Sequence, residues 1–136
     1  MSEENVELAR AYVEAFNEGG LDATEHLRHP QIEVFDPPEL PDADRYVGEA
    51  AVRERVESYL AVGWNGQFSV QEYIDAGDEV VVIWHMTGQA ALGGVPLDVP
   101  AVGHIYYFEE GKARRIRQYL TRAEALKAAG LSESDP

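Results

Sequence analysis

No cysteine occurs in the 136 residues, which excludes disulfides, thiolate zinc sites, iron–sulfur clusters and cysteine nucleophiles together. Long hydrophobic runs are missing too: the longest, Val80–Trp84, falls far short of the roughly 20 apolar residues of a membrane-spanning helix. Bases are scarce. Eleven Lys and Arg face 25 Asp and Glu, for a formal net charge of −14. A chain this acidic lacks the surface that neutralises phosphates, so neither nucleic acid nor an anionic membrane is an expected partner. A glycine-rich phosphate loop, a Walker-type lysine and a nucleophile elbow are also absent, and no cofactor is expected. Met1-Ser2-Glu3-Glu4 opens on acids instead of a basic, apolar leader, so a cytoplasmic location is the expectation.

What is present suits one domain over residues 1–136. A hydrophobic content of 45% lets a chain of this length form a single core without staples. Only Ser132–Pro136 reads as a loose tail. The charge is uneven, with 22 acids and 5 bases before Lys112 against 3 acids and 6 bases from there on. That pattern suits a solvated acidic surface, or an acidic face that meets the basic C-terminal strand of a second subunit.

Ser2 is a good N-cap, and Glu3 and Glu4 favour the positive end of a helix. Val6, Leu8, Ala9, Tyr12, Val13 and Phe16 then fall on one helical face, and Asn17-Glu18-Gly19-Gly20 ends it. Asp22 caps a short second helix over Ala23–His29, which Pro30 stops. A strand follows over Gln31–Phe35, then a loop through Glu39–Arg45. Gly48 precedes a helix over Glu49–Ala61 with Val52, Val56, Tyr59 and Leu60 on its apolar face. Period-two segments at Gln67–Ala76, Glu79–Ala91, Leu97–Glu109 and Lys112–Leu120 read as strands, with turns at Gly77-Asp78, Gly93-Gly94 and Glu110-Gly111. Thr121-Arg-Ala-Glu124 is a capping box for a last helix that Gly130 ends. This order is α+β, with an antiparallel sheet curling over the helices.

Ala11-Tyr-Val-Glu-Ala-Phe-Asn-Glu-Gly19, Gly48-Glu-Ala-Ala-Val-Arg-Glu54, Phe108-Glu-Glu-Gly-Lys112 and Ala123-Glu-Ala-Leu-Lys-Ala-Ala-Gly-Leu131 together resemble the SnoaL-like family. That family lies in the superfamily of nuclear transport factor two and ketosteroid isomerase. The similarity runs over residues 3–131. It implies a cone-shaped, cystatin-like roll with an apolar pocket, dimeric through the open sheet face. That face is expected to carry His85, Arg115, Arg117 and Tyr119.

The resemblance also implies site residues. Tyr12 matches the oxyanion-hole tyrosine of ketosteroid isomerase, and Asp36, before Pro37, its proton-shuttling aspartate. His104 falls opposite that enzyme's second acid, and a slip of one residue would put Gly103 there. Phe16, Phe35, Tyr59, Trp64, Val82 and Trp84 are expected in the pocket wall. So are Met86, Tyr106, Phe108, Ile116, Gln118 and Leu120. A carboxylate in an apolar cavity is a better base, and a phenol with an imidazole N–H could hold a developing enolate. Each residue also has a plain reading: Tyr12 as a buried tyrosine with one partner, Asp36 as a turn initiator, His104 as a satisfied core histidine.

His26 and His29 share a helical face without a carboxylate at ligand spacing, so no metal site is expected. Limonene epoxide hydrolase, a relative by fold, needs charged residues on the strand matching Val80–Gly88 and an aspartate near position 118. Here that strand has none, and Gln118 cannot act as a base. Two functions follow. One is a pocket protein that binds a small hydrophobic molecule; the other is a cofactor-free isomerase or cyclase with Asp36 as general base.

Overall fold

The computed structural model describes residues 2–61, 67–89 and 96–131. Helix α1 covers Ser2–Thr24 and turns at Gly20, whose φ of 68° and ψ of −145° break the helical path where the glycine pair predicts a stop. The segment after it is helical only to Thr24, followed by one 3₁₀ turn at Glu25–Leu27. Strand β1, Arg28–Phe35, starts earlier than the sequence suggests. His29 precedes a proline and is driven to extended backbone, so the expected helix through His29 does not form. Pro30 sits where the pairing of β1 is irregular, between Arg28 and Glu33, and its missing N–H costs the ladder nothing.

The segment read as loop contains a short strand, β2 (Arg45–Val47), paired antiparallel to β1 through Val34 and Tyr46. Three residues are too few to show alternation. Helix α2 (Glu49–Ala61) follows, then β3 (Gln67–Asp75), β4 (Glu79–Gln89), β5 (Pro96–Glu109), β6 (Lys112–Tyr119) and α3 (Arg122–Ala128). The Thr121 hydroxyl accepts from the Glu124 N–H, as the capping box requires. None of the described helices is long and apolar enough to cross a membrane.

The six strands form one curved, open sheet in the order β2-β1-β6-β5-β4-β3. Bulges in the β3–β4, β4–β5 and β5–β6 pairings bend it. The sheet is mixed, not purely antiparallel, because β1 and β6 run parallel. A pairing of strands separated by α2 and three hairpin-linked strands leaves no local sequence signal. The β5–β6 turn places Glu110 at φ 55° and Gly111 at φ 77°, the positive pair of a type I′ hairpin.

Two cores lie on opposite faces. On the inner face Ala9, Tyr12 and Val13 of α1 and Val52 of α2 pack on Ile32, Val34, Val80, Val82, Trp84, Tyr106 and Ile116. On the outer face Ala125 and Leu126 of α3 pack on Ile74, Val81, Ile83 and Ile105. The outer face is therefore partly covered. Arg115, Arg117 and Tyr119 lie on it, as alternation predicts, with Tyr119 packed against the α3 cluster. The register places His104 on the inner face and Gly103 beneath α3, where an added Cβ would lie 2.4 Å from the Ala125 Cβ.

Candidate functional site

Tyr12 projects from the apolar stripe of α1 and is 8% exposed, its ring edge-on to Tyr106 at 5.6 Å between centroids. Its hydroxyl meets Arg28 and Thr24. Arg28, at the start of β1, is 3% exposed. Its Nε and Nη2 donate to the two Glu49 carboxylate oxygens at 2.7 Å each, Nη2 also to the Leu21 carbonyl at 3.0 Å, and Nη1 to the Thr24 hydroxyl. Glu49 stands at the start of α2, so this network ties α1, β1 and α2 together. Burial works against the Arg28 cation, but the hydrogen bonds to Glu49 and Tyr12 outweigh it and hold the group above its ordinary range. Burial raises Tyr12, with Arg28 opposing. The Tyr12 hydroxyl is thus engaged by a buried network.

Asp36 continues the inner-face alternation of Ile32 and Val34 and is 4% exposed. Its Oδ1 accepts from Arg55 Nε at 3.3 Å and Nη2 at 3.2 Å. Its Oδ2 accepts from Arg55 Nη2 at 3.2 Å, the Tyr46 hydroxyl at 3.2 Å and the Asp44 N–H at 3.3 Å. The Asp36 N–H also donates to the Asp44 carbonyl at 3.0 Å, which closes the stem of the loop between β1 and β2. Both carboxylate oxygens are occupied, so a proton from a substrate would have to compete with a guanidinium. Asp36→Asn is expected to cost about 1–2 kcal/mol of stability, because an amide nitrogen would face Arg55 in a buried site. Chemical denaturation measures it; an unchanged midpoint would show that the pairing is energetically idle.

A third group forms the aromatic wall. His104 lies edge-on to Trp84 with centroids 5.0 Å apart and tilted to Tyr106 at 6.4 Å, and Tyr106 stacks on Phe108 at 5.9 Å. Burial pushes the His104 imidazole down to about 3, so it stays neutral in ordinary buffers. Across the sheet His104 pairs with Gln118 on one side and Val82 on the other. Val82 and Ile116 belong to the inner core, and Phe108 packs against it. Phe16, one turn beyond Tyr12, is partly buried. Phe35 alternates with Val34 and so lies on the other face of β1, and Leu120, past the end of β6, is 40% exposed. Trp64 and the side chains of Tyr59 and Met86 lie outside the described residues.

The structure therefore brings Tyr12, His104, Tyr106, Trp84 and Gln118 to one face, and gives Tyr12 and Asp36 separate ion-paired surroundings. Arg28, Glu49, Tyr46 and Arg55 escaped the sequence reading. Arg55 did leave a signal, since it falls three residues after Val52 on the apolar stripe of its helix.

His26 and His29 do not share a helix. His29, on β1, meets Glu109 and Glu110 of the β5–β6 turn, one ligand atom of each lying within 4.8 Å of the others. Its Nδ1 accepts from the Gln31 N–H at 3.0 Å, which leaves the ring proton on Nε2. A metal-ligating histidine instead donates a hydrogen bond through the N–H of its second nitrogen, so the group reads as a surface cluster of one histidine and two carboxylates.

The SnoaL-like domain family matches residues 9–116. Among curated proteins no sequence matches the chain. Several solved structures share the fold. A nuclear transport factor two-like protein from Burkholderia pseudomallei is 19% identical, with a TM-score of 0.74 over 91% of this chain and 95% of that one. A protein of ketosteroid isomerase-like fold from Catenulispora acidiphila, in complex with trimethylamine, is 17% identical, with a TM-score of 0.70 over 96% and 98%. A provisional SnoaL-like polyketide cyclase from Mesorhizobium loti is 20% identical, with a TM-score of 0.67 over 83% and 96%.

Proposed function

The chain belongs to the SnoaL-like family, and from that premise we propose that it binds a small, uncharged, largely apolar molecule against the inner face of its sheet. The observation that carries this reading is the neutral His104 set among Trp84, Tyr106 and Phe108. Both charged pairs on that side, Arg28–Glu49 and Arg55–Asp36, are closed on themselves, so they select against a charged guest. The Catenulispora acidiphila neighbour, with its bound trimethylamine, supports the fold as a host for small organic molecules.

The catalytic alternative needs Asp36 to take a proton, and its pairing with Arg55 and Tyr46 speaks for a structural carboxylate instead. A panel of neutral bicyclic ketones and lactones should raise the melting temperature in a saturable way, by about 2.7 kcal/mol of stabilisation when ligand is at 100 times Kd. His104→Leu should weaken that response. The same panel in D₂O separates the two functions. Exchange of ketone α-protons is expected at the buffer rate; protein-dependent exchange that vanishes in Asp36→Asn would replace the binding reading with the enzymatic one.

A further inference from the structure

The registers align the polar groups of the inner face. Strands β1 and β6 run parallel with Val34 opposite Ile116 and Phe35 opposite Arg117. Asp36, which follows Val34 on the inner face, and Gln118, which follows Ile116 there, therefore come at the same level of the two chains. Gln118 in turn pairs with His104 on β5, and His104 with Val82 on β4. Gln118 therefore stands between an occupied carboxylate and a neutral imidazole. Asp36 is taken up by Arg55, Tyr46 and Asp44. The Gln118 side chain is partly buried and makes no hydrogen bond or ion pair among the described residues. A half-buried amide beside two engaged groups keeps its hydrogen-bonding capacity to spare. That capacity is specific: a planar amide presents one acceptor and one donor side by side, and is fully satisfied only by a partner with the complementary pair.

We infer that Gln118 reads the ligand, and that the ligand is a flat, uncharged molecule carrying a hydrogen-bond donor and acceptor on adjacent atoms, as in a lactam, an enolised dicarbonyl or a hydroxy ketone. This rests on the proposal that the inner face binds an apolar guest, and it adds the chemistry that selects among such guests. The aromatic wall accepts any flat skeleton of suitable size; Gln118 distinguishes skeletons by what they carry at one edge. A simple ketone or lactone satisfies half of the amide and leaves its carbonyl oxygen without a donor.

Two probes differing at one ring position test this: 2-quinolone, with adjacent N–H and C=O, and coumarin, where a ring oxygen replaces the N–H. Both are titrated calorimetrically into the full chain at pH 7. The wild type is expected to bind 2-quinolone at least about ten-fold more tightly than coumarin. Gln118→Leu should bring the two affinities to within roughly three-fold, chiefly by loss of 2-quinolone binding. Gln118→Glu keeps an acceptor for the N–H but loses the donor for the carbonyl, and should fall between. Equal affinity for the two probes in the wild type, or a preference that survives in Gln118→Leu, overturns the inference while leaving the binding site standing. Failure of both probes to bind the wild type or to shift its His104 and Trp84 resonances overturns the inference and the binding proposal together.

Discussion

Glu49→Gln is expected to destabilise the protein by about 3–5 kcal/mol, the cost of stranding one member of a buried ion pair. The guanidinium of Arg28 is inaccessible, and both its Nε and Nη2 donate to Glu49. Neutralising that partner leaves a cation between α1, β1 and α2 with only neutral acceptors to meet it: one amide oxygen, the Leu21 carbonyl and the Thr24 and Tyr12 hydroxyls. The loss should lower the melting temperature by roughly 10 °C or more. Replacing both partners, Arg28→Met with Glu49→Leu, should recover most of it, since the desolvation cost disappears with the charges. A Glu49→Gln variant within 1 kcal/mol of the parent, on the order of an exposed pair, would show that the network contributes little.

The same pair sets a pH dependence. The hydrogen bond from Arg28, against the effect of burial, holds Glu49 below its ordinary 4.5. Its contribution is complete above about pH 4.5 and is lost as acid carries the carboxyl down through its lower folded value. His104 acts with the same sign over a higher window. The unfolded chain takes up its proton near 6.5 and the folded chain only near 3, so stability falls as pH drops between them. Denaturation midpoints of wild type and Glu49→Gln should therefore diverge above pH 4.5 and converge below it. Parallel curves would remove the linkage.

Gly103→Val is expected to cost about 3 kcal/mol or more, by overpacking. The position lies in the middle of β5 at ordinary extended backbone, so no turn requires glycine there. What requires it is the close approach of α3, with Ala125 Cβ at 2.4 Å and Ile83 Cδ1 at 3.5 Å from an added Cβ. Even Gly103→Ala must push the helix off the sheet, at about 1–3 kcal/mol. Pairing it with Ala125→Gly should restore much of that. The contact faces away from His104, so the damage should be confined to the outer face. His104 and Trp84 resonances should stay in place while those of Leu126 and Tyr119 shift. An additive double variant would show that α3 and β5 do not meet as described.

By itself the sequence determined the α+β class, the described helices and strands other than β2 and the 3₁₀ turn, and the turns at Gly77-Asp78 and Glu110-Gly111. The expected Gly93-Gly94 turn lies outside the described residues. The glycine pair after α1, the Thr121 capping box and the Glu110-Gly111 hairpin are local signals, and local backbone geometry obeys them. Period-two alternation likewise put His104, Tyr106 and Phe108 on one face before any partner strand was known. Only the tertiary structure decided what those residues meet. The parallel pairing of β1 with β6, the β2 strand, and the covering of the outer face by α3 join segments far apart in the chain. The contrast is sharpest at Asp36. A carboxylate before a proline reads equally as a general base or a turn residue, because its behaviour depends on which cation folds against it. Arg55 arrives from α2 nineteen residues later, and Glu49 reaches Arg28 across a similar gap. Periodicity says which face a charged side chain occupies, but the choice of its partner is made by strand register and helix docking, which no short window of sequence contains.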